Sequence, residues 1–108
     1  MARQEYYIKG YSLYRLARYR DAIEPLTKVC GAADALTQNA SYHLGDCYLR
    51  MKDRAHAADA FAMASTQGFD EDIAEDALLN YGRLKYELGG GLFNEAINVL
   101  QSYLERYP

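Results

Sequence analysis

The sequence predicts an all-α fold of six helices, paired into three helix–turn–helix hairpins that stack one on the next. Three observations carry this. Apolar residues recur at three and four positions, and nowhere alternate as a half-buried strand requires. Proline occurs only at Pro25 and Pro108, so long helical stretches run unbroken. The pair Gly10 and Ala22 returns 35 positions later as Gly45 and Ala57, so one hairpin is repeated.

A first helix is expected over about 3–17, with Tyr6, Gly10, Leu13 and Ala17 on one face and Ile8 and Leu16 flanking it. After a tight turn at Arg18-Tyr19, a second is expected over about 20–30, with Ala22, Ile23, Leu26 and Val29 as its inner stripe. Pro25 is read as lying just after the first turn, where a missing N–H costs least. Gly31 suits a left-handed C-terminal cap. Asp34 suits the N-cap of a third helix over about 35–51. Lys52-Asp53-Arg54 is the next turn, with Asp53 as the N-cap of a fourth helix over about 54–66. That helix is rich in alanine from Ala55 to Ala64, which lets neighbours approach closely and places it inside the stack. Gly68 is read as ending it. Asp70 opens a fifth helix to about 88, and the acidic run Asp70, Glu71, Asp72, Glu75, Asp76 reads as a solvated first turn complementing the helix dipole. Gly89-Gly90-Gly91 breaks that helix. A sixth is expected over about 92–107, with Ala96, Ile97, Leu100, Tyr103 and Leu104 at helical spacing.

Gly10 to Ala22 and Gly45 to Ala57 are both 12 residues, whereas Gly82 to Ala96 is 14. The two extra residues fall in the glycine triplet, so the turn lengthens and the helices stay in phase. A large residue follows each alanine by 4 positions: Leu26, Phe61 and Leu100. Glycine or alanine at a crossing point lets the two helices of a hairpin touch, and the large residue four positions further on sits one turn away on the same face and fills the gap. Each hairpin leaves an apolar face uncovered, so stacking is obligatory.

Leu44-Gly45 with Tyr48, then Ala57, Phe61 and Ala64, resembles the tetratricopeptide repeat, a helix–turn–helix unit of about 34 residues. The resemblance extends over nearly the whole chain as one domain, 1–108, with repeats at about 3–34, 35–69 and 70–108. It is closest in the middle unit. The third departs in its turn, and only it carries the closing proline, Pro108. The segments YYIKGYSLYRLARYRDAIEPL and NEAINVLQSYLERYP resemble an internal segment of large bacterial tetratricopeptide-repeat proteins. The ending Tyr103 to Pro108 also resembles repeats of the TolA-binding and outer-membrane-assembly families. The likeness implies a right-handed superhelical solenoid that is a fragment of a longer array. Terminal repeats normally carry a polar capping helix, and none follows the sixth, so Leu100, Tyr103, Leu104 and Tyr107 are expected to be partly uncovered, with this end either self-associating or covered by a further helix in a longer protein.

At 108 residues, half of them apolar, the chain can build a continuous core. Its 12 basic and 15 acidic residues, net −3, lack the basic excess of a nucleic-acid footprint. No apolar run approaches membrane-spanning length, and MARQEYYIKG lacks the apolar block of a secretory signal. Cys30 and Cys47 have neither zinc-finger nor redox spacing and read as reduced packing residues. The 11 tyrosines, with no tryptophan, are the unusual feature of the composition.

In the resembled family the first helix of each repeat lines a concave groove that binds a peptide or partner protein. Carried over, the groove positions are Gln4, Tyr7, Tyr11, Tyr14 and Arg15, then Asn39, Tyr42, Asp46, Leu49 and Arg50, then Asp76, Leu79, Arg83, Tyr86 and Glu87. Tyr7, Tyr11 and Tyr14 share a face distinct from Tyr6, Gly10 and Leu13, so the first helix carries more aromatic surface than its core stripe needs. Tyrosine offers large contact area and a polar tip at low entropic cost. The same rings also suit plain packing between adjacent first helices. Members that clamp a terminal carboxylate use Lys and Asn where this chain has Tyr7, Tyr11, Tyr42 and Asp46, so an extended or helical peptide with apolar anchors is expected instead.

No nucleophile–base–acid set is present, and neither an enzyme nor a cofactor is expected. His43, Asp46 and Cys47 are neighbours on one helix face and form the best candidate for a partial metal site or an activated thiol, but no third strong ligand lies near in sequence. His56 is placed at a helix start, exposed. The glycine triplet has no preceding strand and no following Lys-Ser or Lys-Thr, so it is a turn rather than a phosphate loop. Two classes of function remain: an interaction scaffold, and a purely structural segment of a larger solenoid.

Overall fold

Why these residues form helices, and where each stops, is visible in a computed structural model that describes residues 1–89 and 93–108. Among the described residues the elements are α1 (Arg3–Arg15), α2 (Tyr19–Val29), α3 (Ala35–Arg50), α4 (Arg54–Thr66), α5 (Glu71–Leu88) and α6 (Phe93–Arg106). Asp34, Asp53 and Asp70 are side-chain N-caps, accepting from the backbone N–H groups of Thr37, His56, and both Asp72 and Ile73. Each satisfies donors that a helix start leaves without a partner.

The chain folds as an all-α helical-repeat solenoid. α1 pairs with α2, α3 with α4 and α5 with α6, while α2 packs on α3 and α4 on α5. α1 also touches α3, and α3 touches α5, whereas no such contact joins α2 to α4 or α4 to α6 among the described residues. The odd-numbered helices therefore converge and the even-numbered ones splay. A stack built this way curves, with α1, α3 and α5 on the inside.

The hairpin crossings explain the repeated glycines. A Cβ on Gly10 would lie 2.6 Å from Leu26 Cγ, one on Gly45 2.8 Å from Phe61 Cζ, and one on Gly82 2.6 Å from Leu100 Cδ2. Each glycine thus receives the large side chain that follows the alanine of the same hairpin. Leu26, Val29, Ala40 and Cys47 form one buried cluster between the first two hairpins, and Ala57, Phe61, Ala64 and Ala77 begin a second. The small side chains of α4 bring α3 and α5 close on either side.

Several expectations need correction. Pro25 is the seventh residue of α2 and buried, not near its start. The helix begins at Tyr19, earlier than expected, so Pro25 lies in its interior, where an N–H is required, and leaves the Asp21 carbonyl without its helical donor. Ala17 lies outside α1, and Ile8 and Leu16 are about two-thirds exposed. Ile8 is about 200° around the helix from Tyr6, and Leu16 is already the cap residue. Gly31 takes a φ of 120°, positive but outside the left-handed helical well, after an extended Cys30. α4 stops at Thr66 with Gln67 as cap, before Gly68. The lengthened glycine turn and the start of the sixth helix at 92 lie outside the described residues.

The left-handed caps fall instead on Ala17 (φ 60°) and Lys52 (φ 62°). Arg18 N–H donates to Leu13 O at 2.9 Å and Ala17 N–H to Tyr14 O at 3.0 Å; Asp53 to Tyr48 and Lys52 to Leu49 repeat the pattern, both at 2.9 Å. Both are Schellman closures, one repeat apart.

A second repeated device fixes the loops between hairpins. The Arg3 guanidinium donates to Val29 O, the Asp34 carboxylate and Thr37 Oγ1, at 2.7 to 3.2 Å. One repeat later, Gln38 is fully buried; its Nε2 donates to the carbonyls of Ala64, Gln67 and Asp70, and its Oε1 accepts from Asp70 N–H at 2.8 Å. Each side chain ties down the loop that leads into the following hairpin.

Candidate groove on the concave face

Along α1 the helical period aligns three tyrosines. Tyr7 and Tyr11 stack with ring centroids 5.8 Å apart and 20° between planes; Tyr11 and Tyr14 follow at 6.3 Å and 25°. All three are half-buried. Tyr7 and Tyr14 also pack against the first core cluster, and Tyr11 does not belong to it. Both the packing and the surface readings of these rings therefore have support, divided between residues.

His43 of α3 joins the ladder to the next helix. Its ring lies 5.1 Å from Tyr11, 4.9 Å from Tyr14 and 5.8 Å from Tyr42. Burial holds its pKa below the usual imidazole value, so the ring stays neutral among its aromatic neighbours. Its Nδ1 is buried without a hydrogen-bond partner among the described residues.

Two hydroxyl–carboxylate bonds link the odd-numbered helices. Tyr14 Oη donates to Asp46 Oδ2 at 2.5 Å, joining α1 to α3. Tyr42 Oη donates to Asp76 Oδ2, joining α3 to α5. Burial, and then the hydrogen-bonded carboxylate, raise the pKa of both phenols. Burial, helped by Tyr11, raises that of Tyr7. All three hydroxyls stay protonated at neutral pH, and those of Tyr14 and Tyr42 act as donors. Arg50 reaches Asp46 Oδ1 at 3.4 Å and covers the Tyr19 ring at 5.3 Å.

Tyr14, Tyr42, Asp46, Leu49 and Asp76 surround a recess of about 190 Å³, with Phe61 and Asn80 completing it. Phe61 belongs to α4, yet its ring reaches the concave side because Gly45 has no side chain to block it; it meets Tyr42 edge-on at 5.8 Å. A neighbouring hollow is lined by Asp72, Glu75, Asp76, Leu79 and Tyr103.

The other groove positions are more scattered. Gln4, Arg15 and Arg83 are exposed, and among the described residues neither arginine forms an ion pair. Asn39 donates back to Ala35 O, and Glu87 pairs with Arg54 at 3.1 Å. Tyr86 is exposed near the end of α5. The structure thus brings Tyr7, Tyr11, Tyr14, Tyr42, Asp46 and Arg50 together, adds Leu79 through the neighbouring hollow, and leaves Arg15, Arg83 and Tyr86 at the margins. Asn80, Phe61 and the hub position of His43 were missed. The glycine opposite Phe61 was the one available signal.

The thiol alternative meets an opposing electrostatic fact. Burial pushes the Cys47 thiol up to about 12 and Cys30 up to about 11, away from the thiolate that reactivity needs. Asp46 is turned toward Tyr14 and Arg50, not toward Cys47. Among the described residues no three His, Cys, Asp or Glu side chains come together to hold a metal ion.

Stacked hairpins with converging first helices define a helical-repeat scaffold. A tetratricopeptide repeat family model matches residues 39–66 and 76–108, more than half of the chain, and the chain belongs to that family. No curated protein and no solved structure matches it. The first hairpin lies outside the matched segments but has the same glycine crossing and Schellman closure. Proteins of this family are typically non-catalytic and generally bind proteins or peptides. No helix among the described residues is long and apolar enough to cross a membrane.

Proposed function

We propose that this chain is a non-catalytic scaffold that binds a peptide or partner protein along the concave face. The observation that carries this is the aromatic ladder Tyr7–Tyr11–Tyr14, continued through His43 to Tyr42 on the side where the first helices converge. Rigid, half-exposed rings give contact area without a large ordering cost. Titrating isotope-labelled protein with peptides selected from a random library tests the reading. Amide shifts concentrated on α1, α3 and α5 are expected. Shifts confined to α2 and α4, or no specific binder, would overturn it.

A structural role within a larger solenoid is the second reading, and the Tyr14–Asp46 and Tyr42–Asp76 bonds favour it, because they spend two of the groove hydroxyls on internal contacts. Self-association through α6 is also part of the proposal. Leu104 is 64% exposed there and Ile97 37%. Sedimentation across a concentration series, repeated with Leu104→Lys, checks it; an unchanged monomer in both removes this part.

A further inference from the structure

We infer that the recess between α3 and α5 is an anchor pocket for a basic side chain, a lysine or arginine presented by the bound peptide; this rests on the groove-binding reading above. Among the described residues its lining holds two carboxylates, Asp46 and Asp76, and no lysine or arginine, with Arg50 approaching Asp46 from the rim. Both carboxylates are fixed in place before any ligand arrives, since each accepts a tyrosine hydroxyl from the preceding odd-numbered helix. That fixing leaves acceptor capacity free. A carboxylate offers about four lone-pair sites. Asp76 uses Oδ2 for Tyr42 and for Asn80 Nδ2 at 3.1 Å, while Asp46 Oδ1 receives only the long 3.4 Å approach of Arg50 from the rim.

The rest of the lining suits the rest of such a side chain. Leu49 offers apolar surface for a methylene stem, with the buried Phe61 ring behind it, and the Tyr14 and Tyr42 rings line the recess beside the cation. The volume of about 190 Å³ is about six times the ~30 Å³ share of one liquid water, enough for a charged head with part of its stem. The adjoining hollow shares Asp76 and adds Asp72 and Glu75, so the negative lining continues along α5. An acidic anchor would meet repulsion here, and a neutral one would leave Asp46 with only the long Arg50 contact and Asp76 with no cation among the described residues. The partner this selects is a segment with one basic residue for the recess and apolar or aromatic residues for the α1 tyrosines.

The test is a phage-displayed random nonapeptide selection on the intact wild-type chain, repeated on Asp46→Asn, Asp76→Asn and Tyr11→Ala. Asparagine keeps an oxygen to accept the tyrosine hydroxyl, removes the charge and replaces the second oxygen by an NH2 donor. Circular dichroism verifies that each variant is folded. The expected result is Lys or Arg enriched at one peptide position for wild type, lost with either Asp→Asn change, while the apolar preferences persist. In fluorescence anisotropy, replacing that peptide residue by norleucine should weaken binding to wild type about tenfold or more and hardly affect Asp76→Asn. Peptides that need Tyr11 but show no basic preference would overturn the pocket and leave groove binding standing. The absence of any Tyr11-dependent peptide would overturn both.

Discussion

The Tyr14 hydroxyl spans from α1 to the Asp46 carboxylate of α3 at 2.5 Å, and Tyr42 makes the same reach from α3 to Asp76 of α5. These bonds set the spacing of the odd-numbered helices and so the width of the groove. Tyr14→Phe keeps the ring and removes the donor. We expect a loss of about 1–2 kcal/mol in urea unfolding at pH 7. The folded-state pKa of Tyr14 is raised, so this contribution is fully present below the unfolded phenol value of about 10 and is lost as pH rises through the higher folded value. The gap between wild type and Tyr14→Phe should therefore narrow in alkali. An equal gap at pH 7 and at pH 11 would contradict the assignment.

Gln38→Leu should cost about 3 kcal/mol or more. The side chain is fully buried and serves the carbonyls of Ala64, Gln67 and Asp70 and the Asp70 N–H; Gln67 O and Asp70 N–H would lose this partner, while Ala64 O keeps Gln67 N–H and Asp70 O keeps Ala74 N–H. Hydrogen exchange should show the added opening localised to 67–70. A change below about 0.5 kcal/mol would mean that water replaces the clamp at no cost.

Gly45→Ala and Gly68→Ala should separate. A Cβ at Gly45 meets three Phe61 ring atoms within 2.9 Å, whereas one at Gly68 meets nothing within 4 Å. Overpacking costs about 1–3 kcal/mol, offset by about 1 kcal/mol of helix propensity at Gly45. Net destabilisation is expected there, and near neutrality at Gly68. Combining Gly45→Ala with Phe61→Leu should recover part of the loss, as measured by denaturation midpoints.

Acid should unlock the loop before α3. Asp34 sits against the Arg3 guanidinium and accepts from Thr37 N–H, which holds its carboxyl well below the usual range. A depressed folded pKa stabilises above the unfolded value of about 3.9 and ceases to do so as pH falls through the folded one. Asp34→Asn should thus be less stable than wild type at pH 7 and approach it below about pH 3. A gap independent of pH would show that the ion pair contributes nothing.

The parts of the fold that were legible in the sequence depend on neighbours along the chain. The N-caps Asp34, Asp53 and Asp70, and the alanine–large-residue spacings 22/26, 57/61 and 96/100, are set along the chain, whereas the fit of Leu26, Phe61 and Leu100 over Gly10, Gly45 and Gly82 needed the structure. Arg3 and Gln38 were illegible as clamps, because their partners belong to loops 26 or more residues away. Ala17 and Lys52 were missed as left-handed caps because glycine is the usual signal, and here the hydrogen bonds of the closure outweigh a strain of about 1–2 kcal/mol. For the site, period alone put Tyr7, Tyr11 and Tyr14 on one face. The recess was hidden because four helices build it, and because Phe61 reads as core until its ring is seen to pass over Gly45 and reach the groove side.

The central claim is that the α1 tyrosines form a recognition surface rather than packing alone. Tyr11 is the cleanest probe, since it lies in the ladder but outside the buried clusters. The measurement is the affinity of a library-selected peptide for Tyr11→Ala against wild type, with Tyr11→Phe as control and unfolding midpoints for all three. The account predicts at least a tenfold loss for alanine, most of it restored by phenylalanine, with stability changed by less than about 1 kcal/mol. Unchanged affinity in a folded Tyr11→Ala protein would contradict it.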